Sequence, residues 1–99
     1  MNDQSVPHVH ARRGRRLEAA AEQVRVPPAR VRRYIRAGLL HPTYVEGRAV
    51  YFDEIEMARL RKIRRLRDDL GLDLAAIEVV LRLLDEIDTL RTALRSASR

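Results

Sequence analysis

Cysteine is absent from the 99 residues. That excludes disulfides, thiol nucleophiles, sulfur redox switching and every thiolate metal site. Tryptophan is also absent and phenylalanine occurs once. A chain this short then has a thin core and is expected to cover apolar surface with a partner, often a second copy of itself. Long hydrophobic runs are missing too. The longest unbroken apolar stretches are four residues, as in Leu74-Ala75-Ala76-Ile77 and Ala49-Val50-Tyr51-Phe52. A membrane span needs about 20, so none is expected. The first residues, Met1-Asn2-Asp3-Gln4-Ser5, show no basic-then-apolar secretory pattern, and a cytoplasmic location is the expectation. Lysine is nearly absent: 19 of the 20 basic residues are arginine, Lys62 being the exception. Arginine forks suit bidentate contacts to phosphate or carboxylate, although a GC-rich genome produces the same bias whatever the function.

What is present reads as one small globular chain, 45% apolar and 34% charged. Its net charge of +6 conceals an asymmetry. Residues 1–67 hold 16 basic against 7 acidic side chains, whereas residues 68–99 hold 4 against 7. A basic front and an acidic back suggest two surfaces with different kinds of partner.

Residues 1–13 carry no apolar period and read as a flexible basic arm. Leu17, Ala20, Ala21 and Val24 recur at helix spacing. Val26-Pro27-Pro28 breaks that helix, and Pro28 suits the first turn of the next, which spans about Ala29 to Ala37 and stops at Gly38. Its apolar face is Val31, Tyr34 and Ile35. Two short helices across a three- or four-residue break form a helix-turn-helix pattern. Thr43 to Phe52 is rich in β-branched and aromatic residues around Glu46-Gly47, the turn signal of a hairpin, or wing. Asp53 and Glu56 form a capping box. The helix they open is expected to reach Leu70, packing through Met57, Leu60, Ile63 and Leu70. Asp73 caps a last helix from Leu74 to about Arg95. Its stripe contains a candidate dimer seam, Ile77, Val80, Leu84, Ile87, Leu90 and Leu94, close to a heptad pattern but with Arg91 interrupting one register.

This order of helix, turn, helix, Gly-Leu-Leu, wing, helix and long helix resembles MerR-type regulators. Leu17, Ala20, Ala21, Val24 and Val26 match their first helix, and Val31-Arg32-Arg33-Tyr34-Ile35-Arg36-Ala37-Gly38-Leu39-Leu40 resembles their recognition helix and its stop. The wing departs from that family. Thr43-Tyr44 and Val50-Tyr51 stand where arginines are usual, Arg48 is the one wing arginine, and Arg25 occupies a place where the family normally turns on glycine. The second half is similar to small chaperone modulators of the CbpM type, through Val50-Tyr51-Phe52-Asp53, the segment from Leu66 to Leu74, and Leu83-Leu84-Asp85-Glu86-Ile87-Asp88. The resemblance covers about residues 17–95. It implies binding to the J-domain of a DnaJ-type co-chaperone, and restraint of it.

The expected fold is therefore all-α with a small β-hairpin wing: a MerR-type winged helix-turn-helix over residues 14–70, then a C-terminal amphipathic helix over 71–99. Two functions compete. Asp68, Asp69, Asp73, Glu78, Asp85, Glu86 and Asp88, interrupted by Arg82 alone, offer an acidic face complementary to the basic helix of a J-domain, or else a solvated face on a dimerisation helix. Arg30, Arg32, Arg33, Arg36 and Arg48 offer a surface for double-stranded DNA, with Arg12, Arg13, Arg15 and Arg16 as an arm along the backbone or minor groove, and a homodimer to read two half-sites. Here too a solvated arginine face is the simpler alternative. An enzyme is not expected, since there is no Gly-rich phosphate loop, no Ser/His/Asp ordering and no carboxylate pair in a plausible cleft. No cofactor is expected. His8-Val9-His10 alternates as a metal pair does, but without an evident third ligand, and His41 beside Pro42 reads as a loop residue.

Overall fold

A computed structural model describes residues 14–98. The arm, with His8, His10, Arg12 and Arg13, lies outside the described residues. The elements are β1 (Arg15–Arg16), α1 (Leu17–Val24), α2 (Pro28–Arg36), β2 (Tyr44–Glu46), β3 (Ala49–Phe52), α3 (Glu54–Arg64), a π-helical turn (Arg65–Asp69) and α4 (Leu74–Ala97). The fold is the expected helical one with a hairpin wing. Two compact units divide the chain, Met1–Arg65 and Leu66–Arg99.

The helix-turn-helix follows from its apolar spacing. Leu17, Ala20, Ala21 and Val24 are all buried on α1, as are Val31 and Tyr34 on α2. Both helices end in the same way. After α2 the chain reverses at Gly38, φ +79°, where the Gly38 N–H meets Ile35 O at 3.0 Å and the Leu39 N–H meets Tyr34 O at 2.9 Å. After α1 it reverses at Arg25, φ 66°, with Arg25 N–H to Glu22 O at 3.2 Å and Val26 N–H to Ala21 O at 2.9 Å. These paired bonds are a Schellman motif, which takes a left-handed residue just past the helix. Arg25 adopts the conformation that glycine ordinarily supplies.

The wing is larger than a hairpin. β2 and β3 pair with Glu46 opposite Ala49, so the turn is Gly47-Arg48, one residue later than the Glu46-Gly47 signal suggested. Gly47 has φ +60° while Arg48 does not enter positive φ, the pattern of a type II′ turn. On the other edge of β3 lies β1, with Arg15 opposite Phe52 and Arg16 opposite Tyr51, giving a three-stranded antiparallel sheet in the order β1-β3-β2. Arg15 and Arg16, expected with Arg12 and Arg13 to lie as an arm along DNA, thus belong to the sheet. Tyr51 and Phe52 are buried together with Met57, Leu60 and Ile63 of α3.

The capping box is half formed. Asp53 accepts the Glu56 N–H at 2.9 Å, but the Asp53 N–H donates to Thr43 Oγ1 at 3.0 Å. The Glu56 carboxylate instead accepts the His41 N–H at 2.8 Å. With Arg59 Nε donating to Leu39 O at 2.7 Å, these bonds anchor the loop between α2 and the wing. α3 ends at Arg64, short of the expected Leu70, and Leu70 is exposed rather than packed. The π turn explains this. It takes more residues per turn than an α-helix, so the phase set by Met57, Leu60 and Ile63 is lost before Leu70 is reached. Asp73 caps α4 by accepting the Ala76 N–H at 2.8 Å.

Candidate functional site

Two charged surfaces are candidates, one in each unit. The first is carried by α2 and the wing. Pro28 opens α2 where a missing N–H costs nothing, and burial of Val31 and Tyr34 leaves Arg32, Arg33 and Arg36 exposed on the other side. The four arginines are not equivalent. Arg30 is half-buried. Arg32 Nη2 donates to Glu18 Oε2 at 2.8 Å, and Glu18 also lies 3.4 Å from Arg16 Nε. These groups are about half exposed, so each pair contributes at most about 1 kcal/mol. The geometric effect is larger: a phosphate would have to displace Glu18 from Arg32. Arg33 and Arg36 are exposed and carry no ion pair among the described residues. Arg48 is exposed at the wing turn. Arg15 is 3.5 Å from Glu54 Oε2.

The second surface belongs to Leu66–Arg99. Asp68, Asp69, Asp73, Glu78, Asp85, Glu86 and Asp88 are all exposed. Asp73 caps α4 through its carboxylate, Asp68 and Asp69 lie on the π turn, and the other four lie on α4. A shallow groove beside them is lined by Arg82, Asp85, Glu86, Thr89 and Leu90. The candidate seam residues separate along the helix. Ile77 is already buried within the single chain, as is Leu81; Val80 and Leu84 are half-buried; Ile87, Leu90 and Leu94 are exposed. Leu83 and Val79, absent from the expected seam, are exposed as well.

The sequence model of a family described as MerR HTH family regulatory protein matches residues 16–99. The chain belongs to the MerR HTH family. That match takes in the helix-turn-helix, the wing and the last helix of the MerR-family chain. No solved structure matches it. Among the described residues no group of three His, Cys, Asp or Glu is placed to hold a metal ion, and no helix is long and apolar enough to cross a membrane. His41 is exposed, its backbone N–H held by Glu56. Glu18 is the residue that sequence reasoning missed. It lies 14 positions from Arg32, and no local pattern links the two.

Proposed function

We propose that this MerR-family chain is a non-enzymatic chaperone modulator that binds the J-domain of a DnaJ-type co-chaperone and restrains it. The observation that carries this reading is the exposed carboxylate cluster of Leu66–Arg99, in which Arg82 is the one basic residue between Asp68 and Asp88. A J-domain offers a basic helix, and complementary charge both speeds its encounter and selects against acidic competitors. The resemblance of Leu66 to Leu74 and of Leu83 to Asp88 to the CbpM-type modulators supports the choice of partner. The test is titration of the whole chain with its host's J-domain, beside the variant Asp85→Lys with Asp88→Lys. Saturable binding that the double reversal abolishes is the expected result. Unchanged affinity in the variant would refute the acidic face as the contact.

A second reading, a dimeric sequence-specific DNA-binding regulator, is favoured by the exposed Arg33, Arg36 and Arg48. It is the weaker one on geometry. Base edges are read mainly by the first residues of a recognition helix, and here those are Pro28, Ala29 and a half-buried Arg30. Arg32 is engaged by Glu18. Arg33 and Arg36 then suit phosphate, which positions a protein on DNA without reading sequence. Replacing both by alanine should weaken all duplexes alike; a selective loss on one sequence would favour base reading.

A further inference from the structure

Glu18 sits between two arginines that the chain brings together from different elements. As the second residue of α1 it has a local reason for its place, since a carboxylate in the first turn offsets the unpaired N–H groups there. α1 packs on α2, with Leu17, Ala20, Ala21, Val31 and Tyr34 buried, and Glu18 meets Arg32 at the rim between the two helices. Its two oxygens are divided. Oε2 lies 2.8 Å from Arg32 Nη2 on α2, and Oε1 lies 3.4 Å from Arg16 Nε on β1. The side chains of Arg16, Glu18 and Arg32 are 55%, 53% and 49% exposed, so a dissolved anion can reach all three. One carboxylate shared by two guanidinium groups is also the arrangement that a bridging phosphate makes, its oxygens accepting from both.

We infer that Glu18 is a built-in competitor of nucleic-acid phosphate: it occupies Arg16 and Arg32 and holds down the affinity of the helix-turn-helix surface for duplex DNA. The cluster carries one negative charge against two positive, so it still attracts an anion, but binding requires the carboxylate to leave. Arg15 is engaged in the same way by Glu54 on α3. Arg33 and Arg36 then remain as the ready phosphate contacts of α2. A chain of net charge +6 gains selectivity from this arrangement. Duplex phosphates attract any basic surface whatever its sequence, and a partner is favoured as much by disfavouring its competitors as by fitting it. The inference goes beyond the proposed function and holds whichever protein the acidic surface contacts.

The test is fluorescence anisotropy of a labelled duplex of arbitrary sequence, titrated with the whole chain between about 50 and 200 mM salt. Glu18→Gln keeps the length of the side chain and removes its charge. It should bind on the order of tenfold more tightly than the native chain. The slope of log affinity against log salt should also steepen by about 1–2, as the two arginines take up phosphates. Glu22→Gln is the control, because Glu22 lies exposed on the same helix and carries no ion pair among the described residues. It should gain about threefold or less, with the slope unchanged, since a distant exposed charge is screened. In a chain carrying Arg16→Ala with Arg32→Ala, Glu18→Gln should do no more than Glu22→Gln. Equal gains from the two glutamine variants, or a gain that survives loss of both arginines, would overturn the inference, because net charge alone would account for it. So would weaker binding by Glu18→Gln, which would mean that the carboxylate orients Arg32 toward phosphate instead of withholding it. Far-UV circular dichroism checks the fold of each variant, and Glu18→Ala, measured alongside, should show the same gain.

Discussion

Arg25 gives the sharpest check on the account of the fold. It holds a left-handed conformation, φ 66°, in a motif that α2 completes with Gly38. For an L-residue the left-handed region costs about 1–2 kcal/mol, because Cβ crowds the following carbonyl. Glycine removes that cost but adds backbone freedom to the unfolded chain, worth about 0.4–1 kcal/mol. The Arg25 side chain is exposed and its removal forfeits little. Arg25→Gly should therefore stabilise the chain by about 0.5–1 kcal/mol, raising Tm by roughly 2–8 °C for a domain of this size. Thermal unfolding followed by circular dichroism, at one fixed protein concentration because self-association shifts Tm, measures it. Arg25→Ala keeps the strain and should leave Tm nearly unchanged. An unchanged or lowered Tm in Arg25→Gly would refute the reasoning, since it would mean that the arginine side chain contributes as much as the strain costs.

Three further expectations concern the same unit. Tyr34 is 1% exposed and its hydroxyl finds no hydrogen-bond partner among the described residues; Tyr34→Phe should raise stability by about 1 kcal/mol in urea unfolding, and a loss of that size would show that the hydroxyl is satisfied. Asp53→Ala removes the cap of α3 and should cost about 1 kcal/mol, with Asp53→Asn recovering most of it. Gly14 has φ +97°, and a Cβ there would lie 2.2 Å from Phe52 O; Gly14→Ala should lower Tm by roughly 10 °C and expose the β3 amide protons opposite β1 to hydrogen exchange. Normal protection in that variant would contradict the close approach.

The helix-turn-helix was legible because its signals are local. The spacing of Leu17, Ala20, Ala21 and Val24, the Pro28 start and the Gly38 stop each act within one or two turns. The caps at Asp53 and Asp73 were legible for the same reason. What escaped depends on contacts far apart in the chain. β1 is two residues long and is defined by backbone pairing to β3, so it leaves no apolar alternation to find. Glu56 is placed as a capping box requires, but its carboxylate goes to the His41 amide 15 positions away. Leu70 fits a 3.6-residue count and fails once the helix widens at Arg65–Asp69. On α4, leucine, isoleucine and valine occur on more than one side, so two registers overlap; burial of Ile77 and Leu81 separates them. The charge asymmetry was fully visible, yet the engagement of Arg32 by Glu18 was not, and that contact distinguishes the arginines of α2.

The most direct test of the central claim is a calorimetric titration of the intact chain at about 150 mM salt, where surface charge is screened beyond about 8 Å. One arm uses the host's J-domain; the other uses duplex DNA from its own promoter beside a scrambled duplex of equal length. The account predicts saturable J-domain binding, and promoter and scrambled DNA that cannot be told apart. No J-domain heat, with a promoter preference on the order of 10³ or more, would contradict it.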